Sequence, residues 1–344
     1  MAKVTSLTPA TLRSQINSHY KKQVVYQASD KRFEITRIPT GVLSVDYVMN
    51  GGFPRGRHIE IYGQFSAGKT ALSLLLCAMA QQLGGRAGFV DAENTFDPVF
   101  AKHLGVNLKE LDLEPQEEHG QQLIDTMDVM LRSGLYDVLV LDSIAALLPK
   151  AERETESSQA SMGTYQARLM SAALRKLTAA NRNTVLVYIN QMRESVGQMF
   201  GPKMTTSGGR AMGFYAGTRL ELVIVENLKV NQKVIDPKTD KEVTKPVIKG
   251  HRVLMKVTKD KTGAQPFDET TFVFDYTTSK IDPIEDLIYL GRRLGFISIS
   301  GDTWWIIGHE DAKQHGRTRF KSYLKRNPEI ADDLEDAIRN FEGE

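Results

Sequence analysis

The segment Gly63–Thr70, GQFSAGKT, constrains this chain more than any other. It fits G-x-x-x-x-G-K-[ST], the spacing of a turn that cradles phosphate. Gly63 and Gly68 let the backbone curl so that successive N–H groups point at phosphate oxygens. The run Gly63, Gln64, Phe65, Ser66, Ala67, Gly68, Lys69, Thr70 and Ala71 is therefore the candidate nucleotide cradle. Lys69 places a point charge on the terminal phosphates, and the Thr70 hydroxyl is of the type that ligates magnesium. The flanks fit the motif. His58–Tyr62 alternates like a strand, and Ala71–Ala80 is apolar and favours helix. A helix N-terminus following the loop adds a dipole that favours an anion.

Bulk properties narrow the class. The length of 344 residues suits about two domains. A net charge of +2 argues neither for nor against a nucleic-acid partner, so any such case is local. The single cysteine, Cys77, has no internal disulfide partner and sits in an apolar helix, as a small buried thiol would. The start, MAKVTSLTPATLRSQ, has no apolar signal core, and Ala71–Ala80 is too short to cross a bilayer. These features predict a cytoplasmic protein with no membrane partner.

In chain order, Thr8-Pro9 opens a helix with Leu12, Ile16 and Tyr20 on one stripe. Phe33–Ile38 alternates as a strand, and Asn50–Gly56 reads as a loop. Strands at Arg86–Asp91, Asp137–Asp142 and Thr184–Asn190 then alternate with helices at Asp97–Leu104, Gln121–Ser133 and Gly163–Ala180. Apolar strands separated by helices predict an α/β core, a mainly parallel sheet covered on both faces. Leu220–Val225, Val253–Thr258 and Thr271–Phe274 read as antiparallel additions, with a polar hairpin between the first two. Asp282-Pro283 marks a boundary. Beyond it come helices at Ile284–Leu294, Ala312–Arg326 and Glu329–Phe341, with short strands near Ile297 and Trp304–Ile307. Three regions follow: an N-terminal helix and linker (1–32), the core (33–282) and a small α+β domain (283–344).

Site candidates cluster at strand ends, where α/β sheets bind ligands. Asp142 ends an apolar strand, the form of the second magnesium-site acid. Asp91 ends another strand and Glu93 follows it, and by position the two compete to be the carboxylate that polarises an attacking water. Met192–Ser207 has no strand or helix period and is longer than ordinary loops. Its Arg193, Lys203 and hydroxyls suit phosphate contacts, the amides of Gly208 and Gly209 add to them, and Met199 and Phe200 suit stacking on bases.

Several segments together resemble the bacterial RecA recombinase family: PTGVLSVD, GQFSAGKT, FVDAENTFDP, VLVLDSIAALLPKAE, ARLMSAALRKL and YINQMRESVGQMFGPKMTTSGGRAMGFYAGTRL. The resemblance implies a RecA-like ATPase that takes ATP and Mg2+. It implies a homo-oligomeric filament on single-stranded DNA that pairs with double-stranded DNA and exchanges strands. It also implies residue roles. Glu93 becomes the water-activating base, Asp97 an adenine contact and Phe100 the aromatic that stacks on the base. Gln191 becomes the γ-phosphate sensor, and Glu152–Met162 and Met192–Ser207 the DNA loops. Met162, Arg168, Arg175, Met192, Arg193, Met199, Phe200, Gly208, Gly209 and Arg210 become DNA contacts. Phe214 inserts into the next subunit, and Lys259 and Lys261 reach that neighbour's phosphates.

Three features depart from the family pattern. The hairpin Glu226–Arg252 is long, the acidic tail is reduced to Glu342-Gly343-Glu344, and the first DNA loop differs in detail. The basic run Lys313–Arg326 reads either as a solvated helix face or as a landing surface for duplex DNA. Competing functions are a RecA-like ring ATPase or helicase, a small-molecule kinase, and a non-hydrolysing filament.

Overall fold

The computed structural model describes residues 8–117, 119–147, 159–194, 204–208, 210–235 and 242–341. The chain divides into two compact units, with the division between Thr36 and Arg37. In the first, α1 spans Pro9–His19, capped by a reciprocal pair of bonds between Thr8 and Thr11. None of its residues is buried.

The second unit is built on one mixed sheet. Its strands, in chain order, open with β1 (Arg37–Ile38), which pairs β2 (Phe53–Pro54) in a separate ribbon. The helix α2 (Leu43–Val48) lies between them. The main sheet takes β3 (His58–Gly63), β4 (Ala87–Asp91), β5 (Leu111–Pro115), β6 (Val138–Asp142) and β7 (Val185–Glu194). A short β8 (Met204–Thr206) pairs with β7. β9 (Thr218–Ile235), β10 (Glu242–Asp260), β11 (Glu269–Asp275) and β12 (Lys280–Ile281) complete it. The order across the sheet is β12-β11-β10-β9-β3-β7-β6-β4-β5. β9-β3-β7-β6-β4-β5 are parallel neighbours, and β9 to β12 are antiparallel. The α/β class is borne out.

Helices α3 (Lys69–Gln82), α4 (Pro98–His103), α5 (Gly120–Ser133), α6 (Gln159–Ala180) and α7 (Ala211–Tyr215) connect the strands. The central strands read as unbroken apolar runs because their residues alternate between two cores. Val138, Val140, Val185 and Val187 face α3 and its neighbours, whereas Leu139, Leu141, Leu186 and Tyr188 face α5 and α6. Each such side chain contributes about 1.5–3 kcal/mol by leaving water.

The C-terminal part has its own core. α8 (Pro283–Arg293), a three-stranded sheet of β13 (Ile297–Ser300), β14 (Thr303–Ile306) and β15 (Gln314–His315), α9 (Arg317–Arg326) and α10 (Pro328–Arg339) surround Ile288, Leu290, Phe320 and Leu324. Leu43 of α2 joins this cluster, so the small region is seated on the larger one.

Several sequence expectations change. Phe33–Ile38 is a strand only at Arg37–Ile38; Lys31–Phe33 is a 3-10 turn capped by Asp30. The helix expected over Ala312–Arg326 starts at Arg317, because Gly316 at φ 87° breaks the run after a two-residue strand. Met192–Ser207 is not wholly irregular. Met192↔Thr206, Arg193↔Thr205 and Glu194↔Met204 pair as an antiparallel ladder, so the loop stands on an extension of the sheet. β9 and β10 pair as one long antiparallel ribbon interrupted by three register shifts.

Candidate nucleotide and DNA site

The site lies at the carboxyl ends of the interior parallel strands, and strand register assembles it. Gly63 at the end of β3 pairs with Gln191 in β7, and Asp91 at the end of β4 pairs with Asp142 at the end of β6. Gly63 is required by packing as well as by curvature: a Cβ there would sit 2.0 Å from the Leu222 carbonyl oxygen. Gly68, at φ 84°, starts α3 in the left-handed region, and Ser66 joins it at φ 58°. The Gln64 Oε1 accepts from Ile224 N at 3.1 Å and fastens the loop to β9. Phe65 stands 73% exposed at its tip.

Lys69 is buried, and its ammonium donates to the carbonyls of Gln64 (2.7 Å) and Gly63 (3.3 Å). Burial lowers its pKa, while Asp142 and Glu93 act in the opposite sense. Thr70 Oγ1 donates to Asp142 Oδ2 at 2.7 Å. Burial pushes the Asp142 carboxyl up to about 6; the Thr70 bond and Lys69 oppose this, and Glu93 and Asp91 add to it. Among the described residues no group of three or more His, Cys, Asp or Glu side chains could hold a metal alone. A hydroxyl bonded to a carboxylate beside a phosphate cradle nevertheless fits a magnesium ion that takes its other ligands from nucleotide and water.

Asp91 and Glu93 divide their work. Asp91 is buried, and its two oxygens accept from the backbone N–H groups of Glu93 (3.2 Å) and Phe96 (2.7 Å). It shapes the turn. Glu93 then faces the strand ends, where its Oε1 accepts from Gln191 Nε2 at 2.8 Å and from the Ser143 hydroxyl. Ser143 was not among the sequence candidates; its place directly after the strand-ending Asp142 is the signal that finds it.

Asp97 is exposed and caps α4 by accepting from Val99 N and Phe100 N. Phe100 is half-buried, with its ring 6.4 Å from that of Phe274. Lys259 Nζ donates within its own chain to the carbonyls of Ala216 (2.6 Å), Gly213 (2.7 Å) and Phe214 (3.3 Å). It thereby gathers the C-terminal carbonyls of α7, whose Phe214 is 75% exposed. Lys261 is exposed. The turn carrying it is held by Asp260, which accepts from Thr262 N and Ala264 N.

Of the DNA candidates, Arg168 and Arg175 are exposed on α6, and Arg210 is exposed at the start of α7. Met192 is half-buried, and Arg193 has its backbone in the ladder. Gly208 is buried at φ 81°, where a Cβ would meet Ile144 at 2.9 Å. Met162 belongs to the backbone of α6. Met199, Phe200, Lys203, Gly209 and most of Glu152–Met162 lie outside the described residues. Two of the six cations of Lys313–Arg326 are paired: Arg317 with Glu285, and Lys321 with Asp282 and Glu285.

Strand order, phosphate loop and strand-end carboxylates together define a P-loop nucleotide-binding core of the recombinase type. The RecA N-terminal domain family matches residues 8–279. The Protein RecA of Herpetosiphon aurantiacus is 40% identical over 333 residues, 96% of this chain and 87% of the relative. That of Caldanaerobacter subterraneus subsp. tengcongensis is 41% identical over 334 residues, 95% and 92% of the two chains. That of Caulobacter vibrioides is 40% identical over 330 residues, 95% and 87%. The chain belongs to the RecA family. It is a recombinase and an ATP hydrolase that depends on DNA, with the filament and strand exchange characteristic of that family. No described helix is long and apolar enough to cross a membrane.

Proposed function

We propose that each ATP is held with Mg2+ by Gly63–Ala71, Asp142 and the Asp97–Phe100 turn, and that its hydrolysis sets how tightly the filament grips single-stranded DNA. The observation that carries this is the meeting of Lys69, Thr70, Asp142, Glu93 and Gln191 at the carboxyl ends of neighbouring strands, with the segment 192–207 following directly on Gln191. Lys69 turns from its own loop's carbonyls to the terminal phosphates. Thr70 and Asp142 hold the cation, which neutralises phosphate charge when bound. Glu93 takes the proton of the attacking water. Gln191 contacts the γ-phosphate and, through the β7–β8 ladder, orders the DNA loop. Met162, Arg168, Arg175, Met192, Arg193, Met199, Phe200, Gly208, Gly209 and Arg210 line the DNA path. Phe214, Lys259 and Lys261 meet the next subunit.

In this reading residues 1–32 serve oligomerisation, 33–282 form the ATPase core, and 283–344 receive duplex DNA on the cations of α9 left unpaired by Asp282 and Glu285. The protein works in the cytoplasm. The test is ATPase activity with and without single-stranded DNA, with electron microscopy of the same sample. Strong stimulation and open filaments support the reading. No stimulation, or closed rings, would overturn it.

A further inference from the structure

Glu60 stands in the middle of β3 with its side chain wholly buried, yet it bonds to two strands at once. Its Oε1 accepts from Asn190 Nδ2 at 2.7 Å, and its Oε2 pairs with Arg219 Nε. Withdrawing a carboxylate wholly from water is expensive even beside a guanidinium that keeps 24% of its side chain exposed, and such an ion pair adds little net stability over a well-packed apolar group. Its placement therefore calls for a reason other than stability.

The surroundings supply one. On one side, Asn190 bonds to Gln191 N through its Oδ1 (2.9 Å) and to the Ser207 carbonyl through its Nδ2 (3.0 Å). Ser207 closes the DNA loop's return strand. On the other side, Arg219 lies in β9 opposite Lys259 of β10. The Arg219 carbonyl accepts from Thr258 Oγ1 at 3.1 Å, and its guanidinium stacks over Tyr62, whose hydroxyl donates to the same Thr258 oxygen at 3.0 Å. Next in the chain, Lys259 holds the carbonyl end of α7 and so the Phe214 backbone. A polar chain thus runs from Gln191 and the loop base through Asn190 and Glu60 to Arg219, and the Arg219–Thr258 hydrogen bond and the strand backbone carry it on to Lys259 and Phe214.

We propose that Glu60, Asn190 and Arg219 are positioning residues that pass the state of one nucleotide site to the face meeting the next subunit. A shift of Gln191 and the loop base moves Asn190. Glu60 cannot leave its one buried carboxylate unbonded, so Arg219 follows, and with it the Lys259 strand and the Phe214 helix. The proposal rests on the reading that Gln191 meets the γ-phosphate and that Lys259 and Phe214 face a neighbour.

The test uses the full-length protein as Glu60→Gln, Asn190→Ala, Arg219→Lys and the double variant Glu60→Gln/Arg219→Lys. Asn190→Ala leaves the ion pair whole and Arg219→Lys leaves Glu60 a cation, so these two keep the test open should Glu60→Gln misfold. Two quantities are read: the affinity for a fluorescent ATP analogue, and the ratio of single-stranded DNA affinity in a non-hydrolysable ATP analogue to that in ADP. We expect nucleotide affinity to stay within about threefold and the ratio to fall tenfold or more. The double variant should do no further damage than the worse single. A purely structural role would lower the melting temperature without moving the ratio. A wild-type ratio in folded Asn190→Ala and Arg219→Lys, or additive losses in the double variant, would overturn the proposal. Should the wild type itself show no difference between ATP analogue and ADP, the underlying reading fails instead.

Discussion

Gln191 Nε2 donates to Glu93 Oε1 at 2.8 Å, so the proposed phosphate sensor already touches the proposed base. Ser143 donates to the same oxygen. Two donors on one carboxylate oxygen fix its direction, and any movement of Gln191 toward phosphate changes what Glu93 faces.

Glu93→Gln keeps the size of the side chain but removes the base. It should bind ATP normally, hydrolyse it at least about a hundredfold more slowly, and stay on DNA longer in ATP. Gln191→Asn shortens the sensor by one methylene, which breaks the reach to Glu93. It should lose the DNA dependence of hydrolysis as well as rate. DNA dissociation followed in ATP and in ADP separates the two; rapid release of Glu93→Gln in ATP would contradict the assignment.

Arg193 has its backbone in the ladder directly after Met192, two residues past the Gln191 that pairs with Gly63. Arg193→Ala should weaken single-stranded DNA binding and reduce the salt slope of log affinity by roughly one contact's worth, leaving nucleotide affinity unchanged. Phe200→Ala should weaken binding with the salt slope kept, because stacking releases no counterions. Titrations across a range of salt concentrations check both, and unchanged affinity in both would remove the loop from the DNA path.

Asp286 of α8 is buried where the C-terminal region meets α2, and it accepts from Ser44 N at 3.0 Å. Burial raises its carboxyl to about 7, and the charge of Asp46 adds to this against the Ser44 and Leu43 hydrogen bonds. Asp46 itself is raised to about 6, first by burial, with Thr40, Gly41 and Arg339 opposing. An acid whose folded pKa is raised holds its proton more tightly folded than unfolded. The fold is then most stable below the unfolded value near 4 and loses stability as pH rises through 7. Asp286→Asn mimics the protonated form at every pH. Its melting temperature should match wild type near pH 4, pull ahead as pH rises from 4 to 7, and exceed it by several degrees at pH 8, on the order of a few kcal/mol at about 1.4 kcal/mol per pKa unit. Parallel melting curves across that range would refute it.

Much of this was legible in the sequence, for physical reasons. The phosphate loop was readable because its glycines are demanded locally, by the approach of Leu222 to Gly63 and by the left-handed turn at Gly68. The central strands were readable because burial on both faces leaves near-continuous apolar runs. β5, with Leu111 buried and Asp112 and Glu114 between apolar neighbours, was not, since an edge strand buries too little to show a run. Nor was α2, six residues long and shaped by tertiary contacts: Thr40 donates to Asp46, and Asp286 holds Ser44 from 242 residues away. The division of labour between Asp91 and Glu93 was ambiguous for the same reason, because it depends on which carboxylate the backbone of the turn consumes.

The last prediction concerns which chain completes each ATP site. Charge developing on the γ-phosphate needs a cation beyond Lys69 and magnesium. Lys261 is exposed on a turn that Asp260 holds through the Thr262 and Ala264 amides, while Lys259 is bound to three carbonyls of its own chain. Removing Lys259 would therefore disturb α7 and Phe214 as well as any neighbour's phosphates, whereas Lys261→Ala removes a cation from a turn that keeps its own bonds. Lys261→Ala and Glu93→Gln should each be inactive alone. Mixed on single-stranded DNA, they would form some interfaces that join an intact Glu93 to an intact Lys261, and hydrolysis should return well above the sum of the two. A mixture that stays at that sum, with co-assembly shown by crosslinking, would place Lys261 outside the neighbour's site. Recovery would make hydrolysis a property of the assembled interface, which is how DNA, by driving assembly, would switch the enzyme on.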